Sequence, residues 1–390
     1  MQFVELIPSI IFWTSLFLLF MNYLGLYYLL KFISLFVSSK SSDSQRDSES
    51  YELPTVTVLI AARNEEEVIS RKVKNSLDQD YPKDKLSIIV ASDNSTDATS
   101  EIVNSFQEST VKLIEMEERS GKLGIIDKIV PTLNTEIVVI TDANVMLQPE
   151  TISHIMKKYR DPRVGAVSGN QVSVSTTGSK QMVNEETYRN LETKFKRVLA
   201  KLGMVIGCYG GIYSFRKKLF KPLGFIPVSD DMVIPLEVMG QKYRVDFAER
   251  GLAFEDTEKS IKKEYNRRKR IIGYNLPVIL RGIKLTLKAG PLQLLIFIFY
   301  KAVRWLSPIF FLGVIGSAFV LANSSFLYLA VCILSISGII LSLLGFFLNL
   351  TGSRVKFISQ LFYFASINLA VLHGILSVNT KSKHHWEPRG

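Results

Sequence analysis

Long apolar runs near both ends of the chain constrain its fold more than any other feature. Four runs are almost wholly apolar, and they cover residues 7–37, 306–321, 326–348 and 357–378. A helix needs about 20 apolar residues to cross a bilayer core about 30 Å thick, and the run from 306 reaches that length only with residues from Tyr300 onward. We therefore predict a transmembrane anchor at residues 1–37 and three transmembrane helices within residues 301–378.

The distribution of charge predicts how the chain sits in the membrane. The formal net charge is +11, and most lysines and arginines lie between the apolar runs. Basic segments stay on the cytoplasmic side, so we expect an integral protein of the cell inner membrane with a cytoplasmic middle domain. Three spans after that domain would place the polar tail, residues 379–390, outside, whereas its own bases favour the cytoplasm; the side of the tail stays open. The bases are explained by contacts with membrane lipids and a phosphate-bearing substrate, and we expect no nucleic-acid partner.

The middle of the chain has the pattern of an α/β domain. A linker rich in Ser, Asp and Glu covers residues 38–52, and short β-branched runs then alternate with helical stretches from residue 53 to residue 260. This alternation predicts a mostly parallel sheet with helices on both faces. Residues 261–300 mix bases with apolar residues, which predicts amphipathic helices at the membrane interface, broken near Pro277.

Acidic residues follow the apolar strands, where ligands bind in such sheets. Asp93 and Asp142 end or follow predicted strands, and Asp231 opens a predicted helix. Asp142 and Asn144 carry the oxygen ligands that suit Mg²⁺ or Mn²⁺. A site with these groups could transfer a sugar from a nucleotide diphosphate. In that reaction Arg267 and Arg270 are suited to stabilise the leaving diphosphate. Asp231 is suited to act as the base that deprotonates the acceptor hydroxyl.

Each of these motifs has a structural interpretation as well. Asp93 and Asp142 are compatible with ordinary turns or helix caps, and Asp231 with a cap at the start of its own helix. The basic run at residues 267–270 is compatible with a solvated or headgroup-facing helix surface. It is the joint occurrence of the motifs, in this order and at strand ends, that favours a nucleotide-sugar site.

The joint pattern resembles the membrane-embedded family-2 glycosyltransferases, the group of hyaluronan, cellulose and chitin-type synthases and ceramide glucosyltransferases. The resemblance runs from about residue 54 to residue 275, with the membrane helices fitting as well. The segments that carry it are Ala61-Ala62-Arg63-Asn64-Glu65, Gln79-Asp80-Tyr81-Pro82, Asp93, Gly121-Lys122, Asp142-Ala143-Asn144, Asp231 and Arg267-Arg268-Lys269-Arg270-Ile271. It implies a GT-A-type, Rossmann-like nucleotide-sugar domain flanked by transmembrane helices.

The resemblance also implies a role for each matched residue. Contacts with the nucleotide are expected from Ala61, Arg63, Asn64, Glu65, Asp93, Lys122 and Asp142. Metal binding is expected from Asp142 and Asn144, the base from Asp231, and help to the diphosphate from Arg267 and Arg270. Three positions depart from the family pattern. Asn144 replaces an aspartate, and in the Gln-x-x-Arg-Trp segment Arg267 replaces the glutamine and Ile271 replaces the tryptophan, which disfavours a long polymer product.

These observations predict an inverting, metal-dependent glycosyltransferase that moves a sugar from a UDP-sugar to a glycan or lipid acceptor at the membrane. An alternative enzyme would transfer the sugar to polyprenyl phosphate, an acceptor that is already anionic and needs no base. A non-catalytic membrane scaffold is the alternative from another class. The choice of sugar, acceptor and linkage, and the oligomeric state, are left open by the sequence.

Overall fold

The computed structural model describes residues 2–37, 52–174, 182–224, 228–256, 261–351, 353 and 355–377. The predicted polar linker and tail therefore lie almost wholly outside the described residues. The chain divides into two compact units. We name them the helix unit (residues 1–29, 258–279 and 295–381) and the sheet unit (residues 30–257, 280–294 and 382–390).

In the described part of the chain, the sheet unit holds one sheet of eight strands. The strands are β1 (Val56–Ala62), β2 (Leu86–Ser92), β3 (Val111–Glu115), β4 (Ile137–Asp142), β5 (Met146–Leu147), β6 (Val164–Val174), β7 (Ile212–Arg216) and β8 (Arg244–Asp256). Their order across the sheet is β3-β2-β1-β4-β7-β6-β8-β5. Strand β1 is buried along its whole length, as expected for a strand covered on both faces.

The sheet is more mixed than the sequence predicts. Strands β3, β2, β1 and β4 are parallel to one another, as expected. Strand β7 runs antiparallel to both β4 and β6, and β5 runs antiparallel to β8. The first half of the sheet is thus a parallel βαβ unit. In the second half β7 and β5 are reversed, whereas β6 and β8 are parallel to each other and run in the direction of β4.

The chain forms its helices in this order. The N-terminal run gives α1 (Gln2–Phe20) and α2 (Leu26–Phe36), joined by a π-helical turn at Met21–Gly25. The helices of the sheet are α3 (Ile69–Leu77), α4 (Thr99–Asn104), α5 (Gly121–Ile129), α6 (Thr151–Lys158), α7 (Met182–Leu202) and α8 (Asp230–Gly240). The later helices are α9 (Ile261–Asn275), α10 (Val278–Ala289), α11 (Pro291–Phe297), α12 (Val303–Val320), α13 (Phe326–Leu350) and α14 (Lys356–Ser377), with a π-helical turn at Ile298–Ala302 between α11 and α12.

Within the described residues, four helical segments are long and apolar enough to cross a membrane. They are Glu5–Phe36, Pro291–Val320, Phe326–Leu350 and Lys356–Ser377. Their number and order agree with the sequence analysis. The second segment begins at Pro291, earlier than predicted, because α11 continues through its π-helical turn into α12. The break between α9 and α10 lies at Leu276 and Pro277, as the proline predicts.

Within the helix unit, α9 packs closely against α14. A Cβ atom added to Gly374 would lie 1.8 Å from Ile272 Cγ2 and 2.9 Å from the Lys269 carbonyl oxygen. Beside this contact, His373 forms hydrogen bonds with Tyr265 Oη (3.1 Å) and Lys269 Nζ (2.9 Å). His373 on α14 is thus bonded to the neighbouring helix α9. Because Gly374 has no side chain, the backbones of α9 and α14 can approach each other closely, as small residues allow between membrane helices.

Candidate active site

The carboxyl ends of the parallel strands β1, β2 and β4 bring predicted site residues together. In the ladders, Ala61 pairs with Asp142 and Ala62 pairs with Ser92. The carboxyl ends of β1, β2 and β4 therefore lie side by side, and the loops after them share one edge of the sheet. This edge is where ligands bind in open α/β sheets.

The loop after β1 is fixed to the loop after β2. Arg63 Nη1 donates to the carbonyl oxygens of Asp93 (2.7 Å) and Asn94 (3.2 Å). The Asn64 amide oxygen accepts from the Thr96 backbone N–H (2.9 Å), and the backbone of Asn64 has a left-handed φ of 51°. Asparagine tolerates this conformation better than most residues. The Glu65 backbone N–H donates to Thr99 Oγ1 (2.8 Å). Both loops are thus shaped before any ligand binds.

Asp93 is fully buried and holds the start of helix α5. Its two carboxylate oxygens accept hydrogen bonds from the backbone N–H groups of Ser120 (2.6 Å) and Gly121 (3.0 Å). Gly121 has a left-handed φ of 68°, which glycine adopts without strain. The helix-capping interpretation left open by the sequence therefore describes Asp93 in this structure, although the helix that it caps is α5 rather than α4, the helix that follows it.

Lys122 connects the end of β4 with residues that come later in the chain. Its Nζ lies 2.7 Å from Asp142 Oδ1, 2.8 Å from the Gly210 carbonyl oxygen and 3.5 Å from Asp230 Oδ2. Burial by itself would lower the pKa of Lys122, but Asp142, Asp230 and Asp231 outweigh it and raise the pKa above its ordinary value. The ammonium therefore stays charged, and it occupies a position between carboxylates where a cation is favoured.

Helix α8 begins with the two adjacent aspartates. Asp230 Oδ2 accepts a hydrogen bond from Tyr213 Oη (2.7 Å), and the Ser229 hydroxyl donates to Asp231 Oδ1. Burial and the neighbouring Asp230 raise the pKa of Tyr213, so its hydroxyl remains a donor. Acidic residues are stabilised at a helix N-terminus by the helix dipole. Asp230 is thus held by Tyr213 and Lys122, and Asp231 is held by Ser229.

Gly210 and Gly211 connect these groups through their backbone. Besides the bond from Lys122 to Gly210, the Gly211 carbonyl oxygen accepts from Thr141 Oγ1 (2.8 Å). The Gly211 N–H donates to Gln171 Oε1 (3.2 Å). A Cβ atom on Gly210 would lie 3.0 Å from Asp231 Oδ2. Only glycine leaves this space open beside the Asp231 carboxylate.

The residues at the edge of the sheet fit a divalent cation if the substrate supplies further ligands. Asp142 is partly exposed, Asn144 is half-buried two residues later, and the charge of Lys122 is already accommodated between Asp142 and Asp230. Among the described residues, no group of three His, Cys, Asp or Glu side chains could hold a metal by itself. Mg²⁺ is commonly bound by one or two carboxylates together with substrate phosphates, so this donor set is sufficient.

The structure places the two predicted diphosphate-binding arginines, Arg267 and Arg270, on α9, in the helix unit. Arg267 Nη1 lies 3.6 Å from Glu264 Oε2, and Arg268 Nε donates to Glu264 Oε1 at 2.6 Å. These are intrahelical pairs at spacings of three and four residues. The role of the two arginines at the diphosphate stays a prediction.

A buried lysine that the sequence analysis missed supports the Asp142 loop. Lys72 on α3 is fully buried, and its Nζ donates to Thr141 Oγ1 (2.9 Å) and to the Val145 carbonyl oxygen (2.5 Å). Burial lowers the pKa of Lys72 to about 7, against the opposing effect of Asp142. Its only signal in the sequence is a basic residue on the apolar stripe of a predicted helix.

Asn75, one turn further along α3, holds the end of the same loop. Its Nδ2 donates to the Leu147 carbonyl oxygen and its Oδ1 accepts from the Leu147 N–H, both at 2.8 Å. Together, Lys72 and Asn75 fix residues 141–147 at both ends.

Comparisons with known proteins agree with this geometry. The model of the family "Glycosyl transferase family 2" matches residues 57–224. A poly-beta-1,6-N-acetyl-D-glucosamine synthase of Staphylococcus epidermidis is 21% identical over 331 residues, which cover 84% of this chain and 74% of that protein. A beta-monoglucosyldiacylglycerol synthase of Nostoc sp. is 30% identical over 119 residues, which cover 30% of this chain and 25% of that protein.

A solved structure is similar over nearly the whole chain. It is a mannosyltransferase from Pyrobaculum calidifontis in complex with GDP-Man and Mn²⁺, with a TM-score of 0.70 and 21% sequence identity. The similarity covers 96% of this chain and 100% of that one. The prediction of a GT-A-type, Rossmann-like α/β fold is thereby confirmed. Residues 57–224 of this chain, which include Asp93, Lys122 and Asp142, thus match the glycosyl transferase family 2 model in sequence and carry a fold of this type.

Proposed function

We propose that this protein is an inverting, metal-dependent membrane glycosyltransferase that uses a UDP-sugar and transfers the sugar to a glycan or lipid acceptor. The observation that carries the proposal is the grouping of Asp142, Lys122, Asp230 and Asp231 at one edge of the sheet. This edge combines charge that can hold a cation with a carboxylate beside an open glycine backbone. Both are required for transfer of a sugar from a nucleotide diphosphate.

The donor nucleotide would bind over the loops after β1 and β2. Arg63, Asn64 and Glu65 shape the first loop, and Asp93 fixes the start of α5 beneath the second. The carboxylate of Asp93 is fully buried, so the role that we propose for it is to hold the start of α5 for the nucleotide, and its contact with a uracil ring stays a prediction. The backbone of Ala61, beside Asp142, would complete the floor of this part of the site.

Asp142 and Asn144 would hold Mg²⁺ or Mn²⁺ together with the oxygens of the donor diphosphate. When bound, the ion stabilises the negative charge that develops on the leaving diphosphate. Lys122 provides a second positive charge at the same place, because the pKa of its ammonium is raised by the surrounding carboxylates. Arg267 and Arg270 are proposed to assist the diphosphate as well. Bound Mn²⁺ and GDP-Man in the Pyrobaculum mannosyltransferase structure support a nucleotide sugar with a divalent metal.

Asp231 is the proposed base. Asp230 is held by Lys122 and the Tyr213 hydroxyl, whereas Asp231 lies beside the open backbone of Gly210. Asp231 would take the proton of the acceptor hydroxyl as its oxygen attacks the anomeric carbon. The bond from that carbon to the diphosphate breaks on the opposite side. A single displacement of this kind inverts the anomeric configuration.

The relatives suggest the class of acceptor. One of them is a polysaccharide synthase and another is a glycolipid synthase. Ile271 stands where the Gln-x-x-Arg-Trp pattern of the resemblance has tryptophan, and this favours a single transfer or a short product. The apolar helices favour an acceptor that reaches the enzyme at the membrane, and the basic middle segment favours a domain on the cytoplasmic side of the inner membrane.

The proposal is tested with the purified full-length protein in lipid nanodiscs. A panel of UDP-sugars, with GDP-mannose as comparison, is incubated with lipid and glycan acceptors and with Mg²⁺, Mn²⁺ or a chelator. We expect release of UDP and a product of one or a few added sugars by mass spectrometry, both lost with the chelator. Neither release nor transfer with any donor in the presence of metal would overturn the proposal.

A further inference from the structure

Lys196 on α7 is a buried lysine that has no role in the proposed mechanism so far. Its side chain is fully buried, and its Nζ donates to the Gly207 carbonyl oxygen (2.5 Å). Glu192 Oε1, one turn earlier on the same helix, lies 4.0 Å from this Nζ. Taking an ammonium out of water is costly, and an apolar side chain of similar length would fill the same space without that cost. What the ammonium adds over such a side chain is its polar contacts, and the shortest of the described ones is with Gly207.

The carbonyl that Lys196 holds belongs to a peptide group that also holds the backbone of Asp231. The N–H of this peptide group, which belongs to Cys208, donates to the Asp231 carbonyl oxygen (2.8 Å). A peptide group is planar, so the two bonds at its opposite ends fix its orientation. Gly207 has a left-handed φ of 77°, which glycine adopts without strain. Lys196 is thus connected to the backbone of the proposed base through one rigid group.

Lys196 also contacts the aromatic residue that follows this peptide group. Its Nζ lies 4.5 Å from the centroid of the Tyr209 ring, a distance at which the ring attracts a cation. Thr193, three residues earlier on α7, shares a hydrogen bond between its Oγ1 and Tyr209 Oη (3.1 Å). The Tyr209 N–H donates to Ser168 Oγ (3.1 Å). Helix α7 therefore holds the side chain of Tyr209, and strand β6 holds its backbone.

The next residue, Gly210, lies beside the Asp231 carboxylate. A Cβ atom on Gly210 would lie 3.0 Å from Asp231 Oδ2, and the Gly210 carbonyl oxygen accepts from Lys122 Nζ (2.8 Å). The proposed function places the acceptor hydroxyl in this space. Because a displacement of about 1 Å near the reacting atoms can cost about 10²-fold in rate, the transfer should depend on where this backbone is held.

We propose that Lys196 is a positioning residue that holds residues 207–211, which we call the glycine loop, against Asp231 so that the acceptor hydroxyl fits between them. Lys196 would touch neither substrate, and it would act through the peptide group after Gly207 and through the Tyr209 ring. The nucleotide would bind elsewhere, over the loops after β1 and β2, so its affinity should not depend on Lys196. The inference rests on the proposed function, because it names a residue for the acceptor side of that reaction.

The kinetic test compares Lys196→Met with Lys194→Met, which removes an exposed lysine from the same helix. Full-length variants in lipid nanodiscs are assayed with the donor and acceptor that give most product in the wild type. Isothermal titration calorimetry with UDP and Mn²⁺ measures the donor side separately. We expect Lys196→Met to lower kcat/KM for the acceptor by about 10- to 100-fold and to leave the Kd of UDP within about twofold of the wild-type value. Lys194→Met should match the wild type in both.

Hydrogen–deuterium exchange tests the same contact without any substrate. In Lys196→Met, peptides that cover residues 207–212 should exchange faster than in the wild type, because the Cys208 N–H belongs to the peptide group that Lys196 holds. Peptides that cover β2, on the donor side, should exchange as in the wild type. Unchanged exchange at residues 207–212, an unchanged acceptor kcat/KM, or a loss of UDP affinity as large as the loss in acceptor kcat/KM would each overturn the proposal.

Thr193→Val decides the question if Lys196→Met does not fold. It keeps the size of the side chain and the ammonium of Lys196, and it removes the hydroxyl that is bonded to Tyr209. The KM of the acceptor should rise several-fold while the Kd of UDP stays unchanged. An acceptor KM equal to that of the wild type would contradict the role of α7 in holding the glycine loop. The absence of any transfer by the wild type would instead overturn the proposed function.

Discussion

Two adjacent aspartates at the start of α8 are held by different neighbours, and this difference separates their proposed roles. Asp230 is fixed by Tyr213 and by the ammonium of Lys122. Asp231 lies next to Gly210, where a missing side chain leaves room for an acceptor. We therefore propose Asp231 as the base and Asp230 as a residue that organises the site.

The first prediction concerns Asp231. Asp231→Asn should lower kcat by about 10²–10⁴-fold, the usual contribution of a general base, with a small change in the KM of the donor. Steady-state kinetics with the best UDP-sugar measure both parameters. Ser153→Ala, at an exposed hydroxyl on α6, serves as the control and should leave both unchanged. Substantial remaining activity in Asp231→Asn would favour an acceptor that is already anionic, such as polyprenyl phosphate.

For single residues, the sequence indicated that Asp142, Lys122 and Asp231 lie close together, but not which neighbours hold them. Asp142, Lys122 and Asp231 come together because motifs at strand ends and helix starts share one edge of the sheet. The fixing of the α5 backbone by Asp93 depends on a loop that returns after β3, which a local pattern does not reveal. Lys72 was missed because a lysine in a helical pattern is ordinarily solvated.

At the scale of elements, α3 determines the shape of the loop that carries Asp142. Lys72 and Asn75 bind the backbone or side chains at the two ends of residues 141–147. A neutral Lys72 retains two N–H groups, which suffice for its two acceptors. The support therefore persists when Lys72 loses its proton.

The second prediction follows from the lowered pKa of Lys72. Its folded-state pKa of about 7 lies below the value of about 10.4 expected in the unfolded chain. Between these values the unfolded chain binds one proton more than the folded chain, so the free energy of unfolding should rise with pH. In Lys72→Met this rise should disappear, and the activity should fall about 10²-fold because the Asp142 loop shifts.

Thermal unfolding of the full-length protein between pH 7 and pH 9 measures the effect. Tyr81→Phe is the matched control, because it removes one buried hydrogen bond, to the Pro54 carbonyl oxygen (2.6 Å), without changing a charge. Its Tm should follow the pH dependence of the wild type. A Lys72→Met curve parallel to that of the wild type would contradict the prediction.

The third prediction concerns the contact between α9 and α14. Gly374→Ala places a methyl group within 1.8 Å of Ile272 Cγ2, so it should destabilise the protein by about 1–3 kcal/mol, the usual cost of overpacking. Ile272→Ala removes the clashing atom, and the double variant should recover part of the loss. Thermal unfolding in detergent provides the comparison. Gly338→Ala, with no atom near the added Cβ, is the control and should not lower the Tm.

Several elements were predictable from the sequence, and others were not. The β-branched runs at residues 55–60, 86–91, 111–115 and 137–141 predicted β1, β2, β3 and β4 to within about two residues. Helix α5 was missed because it begins at Gly121 and contains Gly124, and two glycines weaken a helical pattern. The reversed direction of β7 depends on contacts with distant strands, which local patterns do not encode.

At the scale of the whole molecule, apolar length alone predicted four membrane segments and their order. The boundary at Pro291 was not predicted, because Lys301 and Arg304 interrupt the apolar sequence after residue 300, whereas the helix continues past them through a π-helical turn. The domain between the segments was predictable because βαβ alternation and the strand-end motifs agree with each other.

The fourth prediction concerns the arrangement of the segments across the membrane. The turn at Asn323 separates two spans, so it should lie on the side opposite to the sheet unit, and Thr351 should lie on the same side as the sheet unit. The two native cysteines, Cys208 and Cys332, are buried and can be replaced by alanine. In that background, an impermeant maleimide should label Asn323→Cys in intact cells and Thr351→Cys only after permeabilisation. The reverse pattern would contradict the cytoplasmic assignment.

The antiparallel direction of β7 joins the two halves of the sheet at one backbone ladder. Because β7 runs against β4, its first residue, Ile212, pairs with Thr141, and the glycines before it arrive directly beside Asp142. In the proposed function, residues before 143 bind the donor and residues after 163 bind the acceptor. The side chains of Lys122 and Thr141 also cross this junction, to the carbonyl oxygens of Gly210 and Gly211. We therefore expect that a hybrid joined after β4 changes the acceptor and keeps the donor when it retains Lys122, Thr141 and the two glycines.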